Sequence, residues 1–501
     1  MNYISTRGWA AKKPAKKVII QGLAEDGGLY VPVTFPRIAV NSFPGQRQPS
    51  SYASQAALIL KSFLSDFSEP ELNSACHEAY GGKFDHEAIV PLKVLDKETA
   101  VLELWHGPTL AFKDLALQLM PRLLSLALKE EDERYELVIL VATSGDTGKA
   151  ALEGFADVPG IRIFVFYPHA GVSEIQRLQM VTQRGQNVGV CAVWGNFDDA
   201  QKGVKQIFAD AQINKELQKI NFRLSSANSI NWGRLAPQIV YYFTGYHQMV
   251  EAGLINLGDP ILICVPTGNF GNILAAYYAQ QCGLPVSKLI CASNRNKVLT
   301  DFIRWGIYDR RREFYRTESP SMDILISSNL ERLLFELSGR NPEFVRTWIN
   351  DLEVKGWYRL PDEKIFHLQS WFYGGFADRQ ATLQAIQEVF NHHGYLIDPH
   401  TAVGYHVLCK YRAETGNGTP ALLAATASPF KFNVPVLEAL GRETKDKDEF
   451  SMLRELSALS GQPIPCQLAE LQSLPEIHKN VCRKEEMAAV IMRFLKKVDA
   501  G

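Results

Sequence analysis

Leu137-Val138-Ile139-Leu140-Val141-Ala142 is an apolar run typical of a buried β-strand, and Thr143-Ser144-Gly145-Asp146-Thr147-Gly148 and Lys149-Ala150-Ala151-Leu152 follow it directly. The middle segment predicts a tight loop and the last four residues predict the start of a helix. A strand, a loop and a helix in this order form the building unit of parallel α/β folds. The stretch therefore predicts an α/β protein with a loop at the carboxyl end of a buried strand.

A second strand, loop and helix follows later in the chain. Ile261-Leu262-Ile263-Cys264-Val265 predicts a strand, Pro266-Thr267-Gly268-Asn269-Phe270-Gly271-Asn272 a loop, and Ile273-Leu274-Ala275-Ala276-Tyr277-Tyr278 a helix. Backbone N–H groups at such a helix start can converge on an anion, although the same glycines also serve ordinary turns. Neither loop has the pattern G-x-x-x-x-G-K-[ST], which argues against a nucleoside triphosphatase.

The remaining pattern alternates in the same way. Apolar runs at Ile161–Phe166 and Asn187–Val193 predict strands, and the segment from Asp198 to Asp210 predicts a helix, which together indicate a parallel, right-handed sheet. We predict an N-terminal region at 1–98, a first α/β half at 99–235, a second α/β half at 236–432 with a helix-rich insertion at about 301–391, and a C-terminal helical tail at 433–501.

Composition excludes several classes of protein. A net charge of −1 indicates no strong field for nucleic acid or membrane, and no apolar stretch approaches the length of a membrane span. The eight cysteines are scattered without a C-x-x-C pair, which favours reduced core thiols over disulfides or a zinc site. The N-terminus lacks a secretory apolar segment, so we expect a cytoplasmic protein.

One lysine has an unusual sequence context. Lys113 lies in His106-Gly107-Pro108-Thr109-Leu110-Ala111-Phe112-Lys113-Asp114, among small, apolar and turn-forming residues. A desolvated amine has a lower pKa and becomes a nucleophile, whereas most lysines are solvated surface residues. Together with two loops that can bind anions, Lys113 indicates pyridoxal phosphate: one loop for the cofactor phosphate, the lysine for its aldehyde and the other loop for a substrate carboxylate.

Several motifs in this order resemble the threonine synthases, which are pyridoxal-phosphate enzymes of the tryptophan-synthase β-subunit fold. The segments that carry the resemblance are Tyr3–Gly8, Gly22–Pro32, His106–Asp114, Thr143–Gly148, Ser226–Leu235, Gly268–Asn272, Asp398–Gly404 and Thr426–Phe432. The resemblance covers most of the chain. It implies pyridoxal-phosphate fold type II, with two parallel-sheet α/β halves, an N-terminal region and a helical insertion.

The resemblance also implies roles for single residues. Lys113 matches the Schiff-base lysine and Thr426 the hydroxyl that faces the pyridine nitrogen, which should leave that nitrogen largely neutral. The residues implied at the cofactor are Lys113, Phe112, Asp146, Gly268, Asn269, Phe270, Gly271, Asn272 and Thr426. The residues implied at the substrate are Thr143, Ser144, Thr147, Asn228, Ser229 and Arg234, with Arg234 as the cation that binds the substrate phosphate. No metal ligand is implied.

The reaction implied is the conversion of O-phosphohomoserine and water to L-threonine and phosphate, the last step of threonine biosynthesis. It would proceed through a pyridoxal 5'-phosphate aldimine on Lys113, with γ-elimination and then β-addition of water, so the chain would be a carbon–oxygen lyase acting on phosphates. A related serine or threonine dehydratase and a non-catalytic relative that binds phosphorylated amino acids are the alternatives. Neither nucleic acid nor a membrane is an expected partner, and we expect a monomer or a homodimer.

Three residues near these motifs have two interpretations each. Asp146 stands beside the cofactor's phenolic oxygen in the implied arrangement, where many relatives have Asn and where a carboxylate would have to share a proton or repel that oxygen. It could instead cap the helix that begins near Thr147. For His106 and His400 a hydrogen-bonded structural role is favoured over general acid or base catalysis, because catalysis requires reach as well as a suitable pKa.

Overall fold

A computed structural model describes residues 1–8, 11–40, 51–130, 135–143, 145–170 and 172–498. Its strands are β1 Asn2–Ser5, β2 Lys13–Pro14, β3 Tyr30–Pro32, β4 Leu92–Val94, β5 Thr99–Glu103, β6 Glu136–Ala142, β7 Ile161–Pro168, β8 Val188–Val193, β9 Phe222–Ser225, β10 Ile261–Pro266, β11 Val286–Ser293, β12 Ile307–Asp309, β13 Trp357–Arg359, β14 Phe372–Phe376, β15 Ala421–Ala425 and β16 Asn480–Cys482.

The first helices are α1 Ala15–Gln21, α2 Tyr52–Phe63, α3 Glu69–Tyr80, α4 Lys113–Leu117, α5 Met120–Leu128, α6 Asp146–Phe155, α7 Glu174–Val181, α8 Phe197–Ala209, α9 Ala211–Lys219 and α10 Trp232–Glu251. The later ones are α11 Gly271–Gln281, α12 Val298–Trp305, α13 Leu330–Leu337, α14 Pro342–Val354, α15 Asp362–Trp371, α16 Arg379–His393, α17 Pro399–Thr415, α18 Asn433–Ala439, α19 Glu449–Ser460, α20 Cys466–Ala469 and α21 Met487–Val498.

Two sheets dominate the described part of the chain. One has five parallel strands in the order β16-β8-β7-β6-β9, and the other has six in the order β14-β11-β10-β15-β5-β4, all parallel except the edge strand β4. Small antiparallel sheets join β1 to β2 and β3, and β12 to β13. The predicted α/β class with two parallel-sheet halves is confirmed.

Strand β6 shows why this sequence forms a central strand. Leu137, Ile139 and Val141 belong to the large core, whereas Val138 and Leu140 belong to a second core on the opposite face, which α8 and α21 cover. Successive side chains of a strand point to opposite faces, so a strand with helices on both faces has apolar residues at every position. The continuous apolar run in the sequence thus follows from burial on both sides.

The boundaries predicted at residues 98, 235 and 432 stay a prediction. Strand β5 begins at Thr99 and pairs with β15, so the start of the first predicted half contributes a strand to the six-stranded sheet. Strand β14 lies within 301–391 and pairs with β11, while β16 in the tail pairs with β8. Among the helices that the structure describes, none combines the length and apolar character needed to cross a membrane.

Candidate functional site

The predicted site lies at the carboxyl ends of strands from both sheets. Thr143 follows β6, the loop at Gly268 follows β10, and Thr426 follows β15. Strand β5 leads into the segment that carries Lys113. In parallel α/β sheets the loops at the carboxyl ends of the strands are the usual place for ligands. Segments that are far apart in the sequence therefore converge because of strand order.

Backbone hydrogen bonds hold the Lys113 segment beside Thr426. Phe112 N donates to Thr426 O at 2.9 Å, and Ser428 N donates to Leu110 O at 3.1 Å. Leu110 has a φ of 58°, in the left-handed region that residues with a side chain seldom adopt. Such strained backbone is found most often at functional sites. The β15 end thus positions the start of α4, where Lys113 is the first residue.

Lys113 is buried among charged groups. Its side chain is 11% exposed, and its Nζ lies 3.8 Å from Asp146 Oδ2. Burial lowers the pKa of Lys113 to about 8, the carboxylate of Asp146 opposes this, and the cations of Lys431 and Arg234 reinforce it. Roughly a tenth of an amine with this pKa is neutral at pH 7, far more than of an ordinary lysine, and the neutral form is the one that a nucleophile or base requires.

The loop after β6 is braced by one of its own hydroxyls. Thr143 Oγ1 accepts hydrogen bonds from Gly145 N and Gly148 N, both at 3.1 Å, and donates one to Gly145 O at 2.9 Å. Thr147 is half-buried, and Ser144 lies outside the described residues. The Thr143 hydroxyl therefore shapes the loop that was predicted to bind the substrate carboxylate.

Asp146 does not cap a helix, which was one of its two possible roles. Helix α6 begins at Asp146 itself, and no side chain caps its first turn. Both carboxylate oxygens of Asp146 face lysines, Oδ1 at 2.5 Å from Lys431 Nζ and Oδ2 toward Lys113. Sequence reasoning missed Lys431, although the motif from Thr426 to Phe432 contains it. A lysine in an apolar segment that follows a buried strand was the available signal.

The loop after β10 presents backbone and leaves one buried nitrogen without a partner. Phe270 has a φ of 61° and its ring packs near Phe372 in the core, so the loop offers backbone and not this side chain. Asn269 is exposed and Gly271 half-buried. Asn272 Oδ1 accepts from the Tyr241 hydroxyl at 2.7 Å, whereas Asn272 Nδ2 has no partner among the described residues.

Gly268 approaches a segment that sequence reasoning did not include. A Cβ added to Gly268 would lie 2.6 Å from Ser321 O, so only glycine fits there. Ser321 Oγ also accepts a hydrogen bond from Lys113 Nζ at 3.2 Å. Ser321 N donates to His400 Nε2 at 3.3 Å, and Asp398 holds His400 Nδ1 at 2.6 Å. His400 therefore has the hydrogen-bonded structural position that its sequence context favours.

Arg234 is buried without an acidic partner in the part of the chain that the structure describes. Its Nη1 donates to Ala227 O at 2.8 Å, but its Nε has no partner among those residues. Burial alone lowers the pKa of Arg234 to about 10, with no opposing carboxylate. Ser229 hydrogen-bonds Ser328 at 2.9 Å, and Asn228 is exposed beside it. A buried, unpaired guanidinium is suited to binding an anionic ligand.

These observations fit a ligand that carries phosphate and an aldehyde, as pyridoxal phosphate does. Arg234 Nε and Asn272 Nδ2 are buried donors that lack acceptors in the described chain, and Lys113 supplies a partly neutral amine. Thr426 is 7% exposed at the end of β15, next to the Lys113 segment. The described residues contain no group of His, Cys, Asp and Glu suited to a metal ion. The individual residue assignments stay predictions.

Fold and site define the class of α/β proteins in which a buried lysine lies between loops from two parallel sheets. Comparison with known proteins narrows the class: residues 2–80 match the family model "Threonine synthase N terminus", and 401–491 match "Threonine synthase, C-terminal". The chain is 41% identical to threonine synthase of Pseudomonas aeruginosa, over 88% of this chain and 90% of that protein. The chain belongs to the threonine synthase family.

A solved structure and a set of longer proteins complete the comparison. Pyridoxal-phosphate-bound threonine synthase from Brucella melitensis superimposes with a TM-score of 0.87 at 36% identity, covering 99% of both chains. Threonine synthase-like 1 of Macaca fascicularis is 38% identical over 92% of this chain. This chain spans only 64% of that protein's length.

Proposed function

We propose that this chain converts O-phosphohomoserine and water to L-threonine and phosphate with pyridoxal 5'-phosphate. One observation carries the proposal: a buried, partly neutral lysine and a buried, unpaired guanidinium belong to the same cluster, since the charge of Arg234 acts on Lys113. A base and a phosphate-binding cation are the two side chains that elimination of a phosphate requires. The similarity to threonine synthases supports the same reaction.

Lys113 is the residue that moves protons in this proposal. Its Nζ removes a proton first from the α carbon and then from the β carbon of the substrate, and the bond between the γ carbon and the phosphate oxygen breaks. A proton is returned to the γ carbon, water adds its hydroxyl at the β carbon and gives its other proton to the phosphate, and a last proton is returned to the α carbon. An amine with a pKa of about 8 can both accept and release a proton near neutral pH. Asp146 and the Ser321 hydroxyl, at 3.8 and 3.2 Å, orient this nitrogen.

Pyridoxal phosphate, when bound, supplies the electron sink that acidifies the α and β carbons. The loop from Gly268 to Asn272 holds its phosphate through backbone N–H groups at the start of α11. The Thr426 hydroxyl, as a neutral partner, would leave the pyridine nitrogen largely unprotonated. Phe112 would contact the cofactor beside Lys113. The loop from Thr143 to Thr147, including Ser144, binds the substrate carboxylate.

Arg234 binds the phosphate of the substrate and the phosphate that leaves. A guanidinium offers planar donors in a fixed fork, so it can bind two phosphate oxygens at once. Asn228 and Ser229 add hydrogen bonds from the loop before α10. These groups distinguish the reaction from that of a dehydratase, whose substrate has no phosphate to hold.

The proposal includes the compartment and the assembly state. We place the protein in the cytoplasm, as a monomer or a homodimer, with a small molecule and no nucleic acid as its partner. The scattered cysteines support a reducing compartment, and the near-zero net charge gives no attraction to nucleic acid. Fluorescence microscopy of the tagged full-length chain and light scattering of the purified protein test the two statements.

The reaction is tested by measuring phosphate release and threonine formation from O-phosphohomoserine, with purified protein and added pyridoxal phosphate. Wild type should form both products in equal amounts, and Lys113→Ala should be slower by about a thousandfold or more. Lys83→Ala is the matched control, because burial also lowers the pKa of Lys83, which lies outside the site. It should retain wild-type rates.

Absence of both products from the loaded wild-type protein would contradict the proposal. Release of ammonia from serine or threonine under the same conditions would then identify a dehydratase. A protein that binds the phosphorylated amino acid without turning it over would be the non-catalytic relative.

A further inference from the structure

Lys431 is a second buried lysine close to Lys113. It lies in the short 3-10 segment Pro429–Phe432, shortly after β15, and its side chain is 1% exposed. Its Nζ donates to Asp146 Oδ1 at 2.5 Å and to Thr109 O at 2.8 Å. A buried ammonium is stable only when paired and hydrogen-bonded, and Lys431 has both a carboxylate and a carbonyl partner.

Asp146 links the two lysines. Its side chain is 4% exposed, with one oxygen on Lys431 and the other 3.8 Å from Lys113 Nζ. The three groups carry a net charge of +1 when Lys113 is protonated and zero when Lys113 is neutral. Because uncompensated charge is costly in a buried site, electroneutrality favours the neutral amine of Lys113.

We propose that Lys431 and Asp146 act as one neutral pair that sets the charge at Lys113, which makes Lys431 a positioning residue for the reaction. The proposal rests on the proposed function in that Lys113 is the proton-transferring amine. Without Lys431, the carboxylate of Asp146 would favour the protonated form of Lys113. Without Asp146, the ammonium of Lys431 would favour the neutral form. Paired, they keep Lys113 oriented while leaving it able to exchange its proton.

The charged groups around the pair agree with this arrangement. Burial alone would raise the pKa of Asp146, but the cations of Lys431 and Lys113 and the hydrogen bond from Lys431 hold it well below its usual range. Lys113 is additionally affected by Arg234, which lowers its pKa, and by Asp114, which raises it.

Three variants test the pair: Lys431→Met, Asp146→Asn and the double variant. The first measurement is the pH midpoint of the visible absorption band of the protein loaded with pyridoxal phosphate, which reports protonation at the Lys113 nitrogen. The second is the pH profile of kcat and kcat/KM with O-phosphohomoserine. Thermal unfolding of each loaded protein shows whether the variants fold.

The single variants should shift the absorption midpoint in opposite directions. Loss of the ammonium in Lys431→Met should raise the midpoint, and loss of the carboxylate in Asp146→Asn should lower it, each by about one pH unit. Each should lower kcat by about tenfold or more, with a smaller change in KM. The double variant keeps the pair's net charge, so its midpoint should return close to wild type and its kcat should exceed that of either single variant.

Shifts in the same direction, no shift, or a double variant slower than both single variants would overturn the proposal. If Lys431→Met alone does not fold, the proposal still requires a folded double variant with a near-wild-type midpoint. The control is the surface pair of Lys447 and Glu455, at 2.6 Å, changed to Met and Gln, which should shift neither the midpoint nor kcat. If wild type lacks threonine synthase activity, the absorption midpoints still decide this proposal, so the two failures are distinguishable.

Discussion

At the scale of single residues, a buried charged side chain with all its hydrogen bonds made inside the protein is structural, whereas one with an unsatisfied donor is a candidate for binding a ligand. Arg332 and Arg234 are both buried. All three guanidinium nitrogens of Arg332 donate to an oxygen, whereas Arg234 Nε donates to none among the described residues. A protein gains no stability from a buried cation that lacks a partner. Arg234 is therefore maintained at a cost to stability, which we expect ligand binding to offset.

Replacement of Arg234 by Met should separate binding from stability. We expect KM for O-phosphohomoserine to rise by about a hundredfold or more, because a charge-assisted hydrogen bond contributes roughly 1.5–3 kcal/mol and a fork forms two. The melting temperature without ligand should stay equal or rise, since an unpaired buried charge is removed. Kinetics and thermal unfolding, with and without added phosphate, check both parts. A lower melting temperature together with an unchanged KM would contradict this role.

His106 should make stability depend on pH. Burial on its own lowers the pKa of His106, but hydrogen bonds with Asp85 and Glu103 outweigh burial and raise it to about 9 from 6.5. A raised folded-state pKa stabilises the protein fully below pH 6.5, and this contribution is lost as pH rises through about 9. It amounts to something on the order of 3 kcal/mol.

The comparison of wild type with His106→Gln in urea unfolding at pH 6, 7.5 and 9.5 checks this expectation. The free-energy difference between the two proteins should be largest at pH 6 and should shrink toward pH 9.5. The exposed His392→Gln should follow wild type at every pH. A constant difference between wild type and His106→Gln would show that the histidine acts through packing alone.

At the scale of elements, α6 and α4 pack so closely that a methyl group cannot enter. A Cβ added to Gly154 in α6 would lie 1.9 Å from Leu117 O at the end of α4. Helix α4 begins at Lys113, so the spacing of these two helices also determines where the lysine lies. Alanine normally stabilises a helix interior relative to glycine by about 1 kcal/mol, and here packing reverses that preference.

Gly154→Ala should therefore lower the free energy of unfolding by about 1–3 kcal/mol and also reduce kcat. Gly203→Ala in α8 is the matched control, because its Cβ would meet the flexible end of the Met487 side chain and not backbone. Urea unfolding and steady-state kinetics of both variants measure the effect. Equal losses in the two variants would contradict the argument from backbone contact.

At the scale of the whole molecule, one arginine joins three distant parts of the chain. Arg332 in α13 donates to Tyr30 O at 2.8 Å, to Ile230 O at 2.6 Å and to Asn329 Oδ1 at 2.5 Å. Arg7 adds two hydrogen bonds to Glu331, at 3.2 and 3.1 Å. The N-terminal region is thus attached to the start of α13, where Asn329 N donates to Asn269 O of the Gly268 loop at 3.1 Å.

Loss of the Arg332 side chain should destabilise the entire fold. Arg332→Met leaves two buried acceptors and one partly buried acceptor without a donor, so we expect the free energy of unfolding to fall by about 3–5 kcal/mol. The exposed Arg359→Met, which breaks a surface pair with Asp362, should change it by no more than about 0.5 kcal/mol. Denaturant unfolding, monitored by fluorescence, compares the two variants with wild type. Similar unfolding midpoints for the two variants would refute the prediction.

The sequence alone determined the alternation of elements and indicated where the candidate site lies. Strand β7, strand β8 and helix α8 lie where apolar runs and polar spacing predict them, because burial on both faces of a parallel sheet leaves a visible apolar run. The unusual setting of Lys113 and the glycine loops also stood out locally. Each of these features depends on neighbours within a few residues.

Only the tertiary structure decided which distant groups meet. Lys431 and Asp146 are separated by hundreds of positions, and so are Ser321 and Lys113, and no periodicity joins them. The order of strands in the two sheets brings them together, and burial then decides their charge. Sequence patterns report which face of an element is apolar, but they do not report which side chain from another strand end lies opposite a buried carboxylate. That pairing depends on the complete fold.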